Sequence, residues 1–234
     1  SILRSKKLGL KYNTASLLEV ESGSNDPCSN IMTIIMISII EGSVSGGRIA
    51  YMIFAQFAYG AAIGLVLAIA AVNIMKRFKA SSSGFDSLFV LALALLSYAL
   101  PNLVGGNGYL SAYLVGIILG NSEIRGKKTL VPFFEGVNGL MQVLIFFLLG
   151  LLSTPSQLPQ VAVPAILIAI FMTLISRPLT VFGIMTPFKA RFRQQLLVSF
   201  VGLRGAASIV FALMATSAAT TVTGSSSALF NIVL

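Results

Sequence analysis

Apolar residues in this chain come in long runs separated by short polar or basic connections, instead of alternating with polar ones at a strand or surface-helix period. A helix needs about 20 predominantly apolar residues, within a range of about 17 to 25, to cross the hydrocarbon layer of a bilayer. By that measure the runs predict membrane helices from about Thr14 to Ile40, Ala50 to Met75, Phe85 to Leu100, Gly108 to Gly120, Val131 to Leu152, Ala162 to Met185 and Gln195 to Ala215. An eighth begins near Ser226. The third and fourth runs are short for full spans and are joined by the uncharged stretch PNLVGGNG at 101–108, which leaves tilting, local thinning or a re-entrant turn open. The fold class this predicts is all-α, a polytopic transmembrane helical bundle of about seven spans plus a truncated eighth.

Composition narrows the class. With 56% hydrophobic and only 10% charged residues, and a mean hydropathy of +0.92, the chain lies outside the range of water-soluble globular domains. The net charge of +9 could suggest nucleic acid, but the basic residues fall between the apolar runs, where they act as orientation signals. Arg4, Lys6, Lys7 and Lys11 precede the first run; Lys76, Arg77 and Lys79 follow the second; Arg125, Lys127 and Lys128 follow the fourth; Lys189, Arg191 and Arg193 follow the sixth. The alternate connections offer only Arg48. Cytoplasmic loops carry the Lys/Arg excess, so the expectation is a multi-pass cell-membrane protein whose N-terminal end is cytoplasmic and which binds no nucleic acid. Cys28 is the single cysteine and there is no histidine, which excludes internal disulfides and a Cys/His zinc site. No cofactor motif and no nucleophile–base constellation appears, so the chain does not read as an enzyme. It opens on Ser1 and stops at Leu234 inside an apolar run. Residues 1–234 are therefore expected to be a partial transmembrane domain, truncated at both ends.

Against this background the charges inside the runs carry the chemistry. A charged side chain at the centre of a helix in hydrocarbon costs about 2.5–3.5 kcal/mol even on the most lenient scale, so such residues are kept mainly where they have a role. The stretch LEVESGSNDPCSN at 18–30 puts Glu21 about 10 Å and Asp26 about 18 Å along the first helix, the latter near the middle of a core about 30 Å thick. Ser22 and Asp26 share one helix face, and Glu21 and Asn25 a neighbouring one. Pro27 has no N–H, so the carbonyl of Gly23 loses its helical partner. A free carbonyl, a hydroxyl, an amide oxygen and a carboxylate together form a hard-oxygen site suited to an alkali cation or a proton. Asp26 is too deep to reach the surface, whereas Glu19 can snorkel to it. In the sixth run Arg177 lies about 15 Å from the break at Pro187, a depth like that of Glu21, and an ion pair spares both residues a lone charge. In the seventh, Gly202 and Gly205 flank Arg204, which fits either a close helix contact or a broken helix whose carbonyls face a cavity. Glu135 reads as a helix-start carboxylate, Gln142 as a cavity or neighbour contact, and Cys28 as a small membrane-core residue.

ESGSND at 21–26, SRPLTV at 176–181 and GLRGA at 202–206, in this order and with loops of this size, resemble the NhaP-type cation:proton antiporters, relatives of the sodium/proton exchangers. GNGYLSAYLVGIILGN at 106–121 and FFEG at 133–136 extend the resemblance over nearly the whole chain. The resemblance implies the C-terminal half of an inverted-repeat fold with broken helices. It implies that Asp26 binds a cation or a proton in turn, with Asn25, Ser22 and Gly23 in support, and that Glu21 and Arg177 form a structural clasp. It also places Gly202, Arg204 and Gly205 on the discontinuous helix of the second repeat. Relatives with Asp-Asp in the first motif are electrogenic, so Asn25 implies electroneutral exchange. The implied partners are a sodium, potassium or lithium ion, protons, the lipid bilayer and a second copy of the complete protein. Two other classes fit the residues less well. A passive cation channel should show a carbonyl-lined filter segment, which is not visible, and a non-transporting membrane subunit should depend on a partner protein.

Overall fold

A computed structural model describes residues 14–42, 45–77, 83–124, 126–152, 158–201 and 207–222. The described residues are helical, with no strand among them: α1 Thr14–Ile40, α2 Gly46–Arg77, α3 Ser83–Leu103, α4 Gly108–Asn121, α5 Lys127–Leu152, α6 Leu158–Phe171, a π-helical turn Met172–Ser176, α7 Arg177–Met185, α8 Phe192–Val201 and α9 Ala207–Val222. Four stretches are long and apolar enough to cross a membrane: Gly46–Arg77, Gly84–Leu103, Lys127–Leu151 and Ala162–Met185. With no water in hydrocarbon to bond to bare N–H and C=O groups, a spanning segment must satisfy its own backbone, which is why strongly apolar runs of this length are helices. The chain is a multi-pass membrane protein.

One element boundary differs instructively from the sequence pattern. The helix expected to stop at Leu100 continues through Pro101 to Leu103, although Pro101 has no N–H to give the Ser97 carbonyl four residues back. The run read as one helix from Gln195 to Ala215 is represented by α8 and α9. Gly202, Arg204 and Gly205 lie outside the described residues.

The chain divides into two compact units, one of residues 26–152 and one formed by residues up to Asn25 together with those from Ser153 onward. In the first unit α2 and α4 lie against one another and run parallel: Gly60 meets Asn107, Gly64 meets Ser111, and Ala68, Ala71 and Met75 share a buried cluster with Val115 and Leu119. Leu93 of α3 and Leu130 of α5 complete that cluster. Small residues at one-turn spacing let two backbones approach, the usual basis of association where hydrophobicity supplies no net drive between helices. The interior follows the same logic, with Ser97, Asn107 and Ser111 fully buried while Phe54, Leu65, Val66 and Ile69 of α2 point outward. In the second unit Gln195 and Ser199 are buried on α8, and Ser199 Oγ donates to the Gln195 carbonyl at 2.9 Å.

A Cβ on Gly64 would stand 2.8 Å from Ser111 Cα and 3.0 Å from its carbonyl oxygen. Both are backbone atoms, which cannot rotate away. Gly64→Ala is therefore expected to destabilise the complete protein by about 1–2 kcal/mol despite alanine's better helix propensity. A lower thermal midpoint in detergent checks this. Gly116→Ala is the control, because nothing lies within 4 Å of its Cβ position.

Candidate ion-binding site

α1 carries its polar stretch through the middle of the helix. Gly23 and Pro27 are poor helix residues, yet the α-conformation is unbroken from Thr14 to Ile40. Asp26 and Gly23 are half-buried, while Ser22 and Asn25 are exposed on this chain. Ser22 and Asp26 remain one turn apart on one face. Hydroxyls elsewhere on α1 turn back to the helix: Ser24 Oγ donates to the Val20 carbonyl at 2.7 Å and Thr33 Oγ1 to the Ser29 carbonyl at 2.8 Å. Among the described residues no three His, Cys, Asp or Glu side chains converge. Asp26 is thus a half-buried carboxylate in mid-helix with the neutral residues Ser22, Gly23 and Asn25 near it in sequence.

The structure brings Glu21 and Arg177 together. Arg177 Nη2 donates to Glu21 Oε1 at 2.6 Å, with the two side chains 25% and 37% exposed. The chain presents Arg177 through a local distortion. The π turn Met172–Ser176 immediately precedes it, and the Arg177 N–H bonds to the Met172 carbonyl, five residues back. Pro178 follows, so the Leu174 carbonyl has no N–H at the usual four-residue spacing. A single wide turn next to a proline is a frequent feature of functional helices, because it re-aims the side chains that follow it.

In the unit that holds Asp26, the neighbouring wall is the start of α4. Asn107 Nδ2 donates to the Pro27 carbonyl at 2.9 Å. Asn107 Oδ1 accepts from Leu110 N at 3.1 Å and caps α4. Its own N–H donates to the Gln56 carbonyl of α2 at 3.1 Å. A carbonyl can only accept and an amide N–H can only donate, so these partners fix which way the Asn107 amide points. Gly105, at φ +76, turns the chain between α3 and α4 with no Cβ penalty. Tyr109 packs edge-to-face on Tyr98, ring centroids 5.2 Å apart, and lies within electrostatic reach of Asp26. Asn107 was not singled out by the sequence pattern. The signal that could have found it is an asparagine directly before an apolar run, the signature of a helix N-cap. Glu135 and Gln142 are exposed on α5 and Cys28 is exposed on α1.

The sodium/hydrogen exchanger transmembrane family model matches residues 1–234. The K(+)/H(+) antiporter NhaP2 of a Shewanella strain is 36% identical over 215 residues, covering 89% of this chain and 37% of that protein. The K(+)/H(+) antiporter NhaP of Alkalimonas amylolytica is 34% identical over 214 residues, covering 91% of this chain and again 37% of the relative. The chain thus spans a little over a third of the length of these curated relatives. The solved structure of the sodium proton antiporter MjNhaP1 from Methanocaldococcus jannaschii superposes with a TM-score of 0.80 at 22% identity, over 97% of this chain and 61% of that one. That likeness establishes the fold.

Proposed function

We propose that this chain, which belongs to the sodium/hydrogen exchanger transmembrane family, is the part of a secondary transporter that exchanges a monovalent cation for protons at Asp26. The observation that carries the reading is the half-buried carboxylate in mid-helix with Ser22, Gly23 and Asn25 near it in sequence. A carboxylate within a low-dielectric layer must be neutralised, and either a proton or an alkali cation does so. Since one negative charge holds one positive guest, entry of either expels the other, and the coupling follows from the competition. Asn25, an amide in place of a second carboxylate, adds no further charge to be balanced, so the exchange is one for one and electroneutral.

Glu21 and Arg177 act as a clasp, holding α1 and α7 in register without taking part in ion binding. The basic flanks support a cytoplasmic N-terminal end for the chain, in a multi-pass protein of the cell membrane. Relatives named for potassium and for sodium both occur among the similar proteins, so the substrate is sodium or potassium.

The test is cation-dependent proton exchange by the complete protein in inside-out vesicles, with sodium, potassium and lithium scanned across pH. Exchange should saturate with cation, be inhibited as pH falls, and proceed at the same rate whether or not the membrane potential is clamped to zero. Currents through planar bilayers without proton coupling would instead establish a channel.

A further inference from the structure

We infer that Asn107 is a positioning residue for the ion-binding turn of α1, a role that rests on Asp26 being the exchange site. Asn107 is fully buried, and a buried amide is costly unless its donors and acceptors are met. Besides capping its own helix α4, it bonds to the backbones of two other segments, the Pro27 carbonyl of α1 and the Gln56 carbonyl of α2. The carbonyl it grips belongs to Pro27, the residue bonded to Asp26, and the two residues lie 80 positions apart in sequence. From behind, Asn107 is braced on α2, where the absence of a Cβ on Gly60 lets the Asn107 carbonyl come within 2.8 Å of where that atom would be. Each partner of the bond stands ~20 Å along its own helix, Pro27 from Thr14 and Asn107 from Asn121, so the tether sits at the depth of the carboxylate itself.

The consequence separates the two substrates. A proton needs one oxygen and tolerates small displacements of Asp26, whereas an alkali cation needs several oxygens at a fixed distance to replace its hydration shell. Loosening the Pro27 carbonyl therefore weakens cation binding and leaves proton binding, and the rate of the loaded carrier, nearly intact.

The test compares Asn107→Ala and Asn107→Asp in the complete protein, assayed in inside-out vesicles over a cation series at several pH values. Asn107→Ala should raise the apparent KM for the cation about tenfold while the maximal rate stays within about twofold, a loss of roughly 1.4 kcal/mol in binding. Asn107→Asp keeps the acceptor that caps α4, so it preserves the fold even where Asn107→Ala does not accumulate. Its carboxylate cannot donate to the Pro27 carbonyl, but its protonated form can. The ratio of variant to wild-type KM should accordingly be large at alkaline pH and narrow towards one as pH falls. A merely structural residue would lower the amount of active protein and leave KM and its pH dependence unchanged, and that result overturns the inference. Asp26→Ala in the same assay separates the two levels. If it abolishes exchange while the Asn107 variants keep the wild-type KM, only the positioning role fails; if it exchanges normally, the site reading beneath it fails.

Discussion

Asp26→Ala is expected to reduce cation-dependent proton exchange to that of vesicles lacking the protein, with the variant still present in the membrane at normal levels. The reasoning is electrostatic and needs no structural collapse. Asp26 is the carboxylate in the middle of α1, and its neighbours Ser22, Gly23 and Asn25 are neutral. Neutral oxygens can help dehydrate an alkali cation, but without a countercharge the cation's own Born cost in a low-dielectric layer is unmet. On the proposed mechanism, removing the carboxyl also removes the group that carries the proton back. Both half-cycles stop at once, which distinguishes this position from one that only tunes affinity. Asp26→Asn is the sharper form, since it keeps the shape and hydrogen-bonding capacity of the side chain and deletes only the charge. Persisting exchange in Asp26→Asn, measured by dye dequenching with sodium or potassium pulses, would falsify the site assignment.

The parts of this molecule that depend on one-dimensional information were readable without coordinates. The bounds of α1, the unusual acid in its middle and the matching depths of Glu21 and Arg177 all follow from counting along helices, and in the structure the last two side chains meet. Lys76 and Arg77 at the end of α2 and Lys127 and Lys128 at the start of α5 likewise fall at ends that the parallel packing of α2 and α4 brings to one side. Features that arise from contacts between distant segments were not readable. Asn107 is an uncharged residue in the loop-like PNLVGGNG, and its significance appears only when Pro27 and Gln56 are placed beside it. The π turn Met172–Ser176 depends on a shift in hydrogen-bond register that no side-chain pattern encodes. The burial of Gly60 and Gly64 against α4 was hidden for a related reason. Glycine contributes no apolar signal, though it is the residue that decides how closely two helices pack.

Breaking the Glu21–Arg177 pair from one side should cost more than breaking it from both. In Glu21→Gln the guanidinium loses its countercharge, and in Arg177→Ala the carboxylate does; each leaves a charge in a layer that solvates it poorly. A fully buried pair broken in this way loses about 3–5 kcal/mol. The side chains here are 25% and 37% exposed, so solvent screening brings the expectation down to about 2–3 kcal/mol per single variant, still well above the 0–1 kcal/mol of a surface pair. The combined Glu21→Gln/Arg177→Ala protein leaves no orphan charge, and should cost about 1–2 kcal/mol in all, less than either single variant. The exchange of positions, Glu21→Arg with Arg177→Glu, should restore part of the thermal midpoint for the same reason. Thermal unfolding of the complete protein in detergent at low and high salt reads all four variants. The 2.6 Å separation and partial burial place the pair where added salt screens it little. Strict additivity of the two single effects, or their disappearance in high salt, would instead make Glu21 and Arg177 two independent surface charges, and α1 and α7 would then be held together by packing alone.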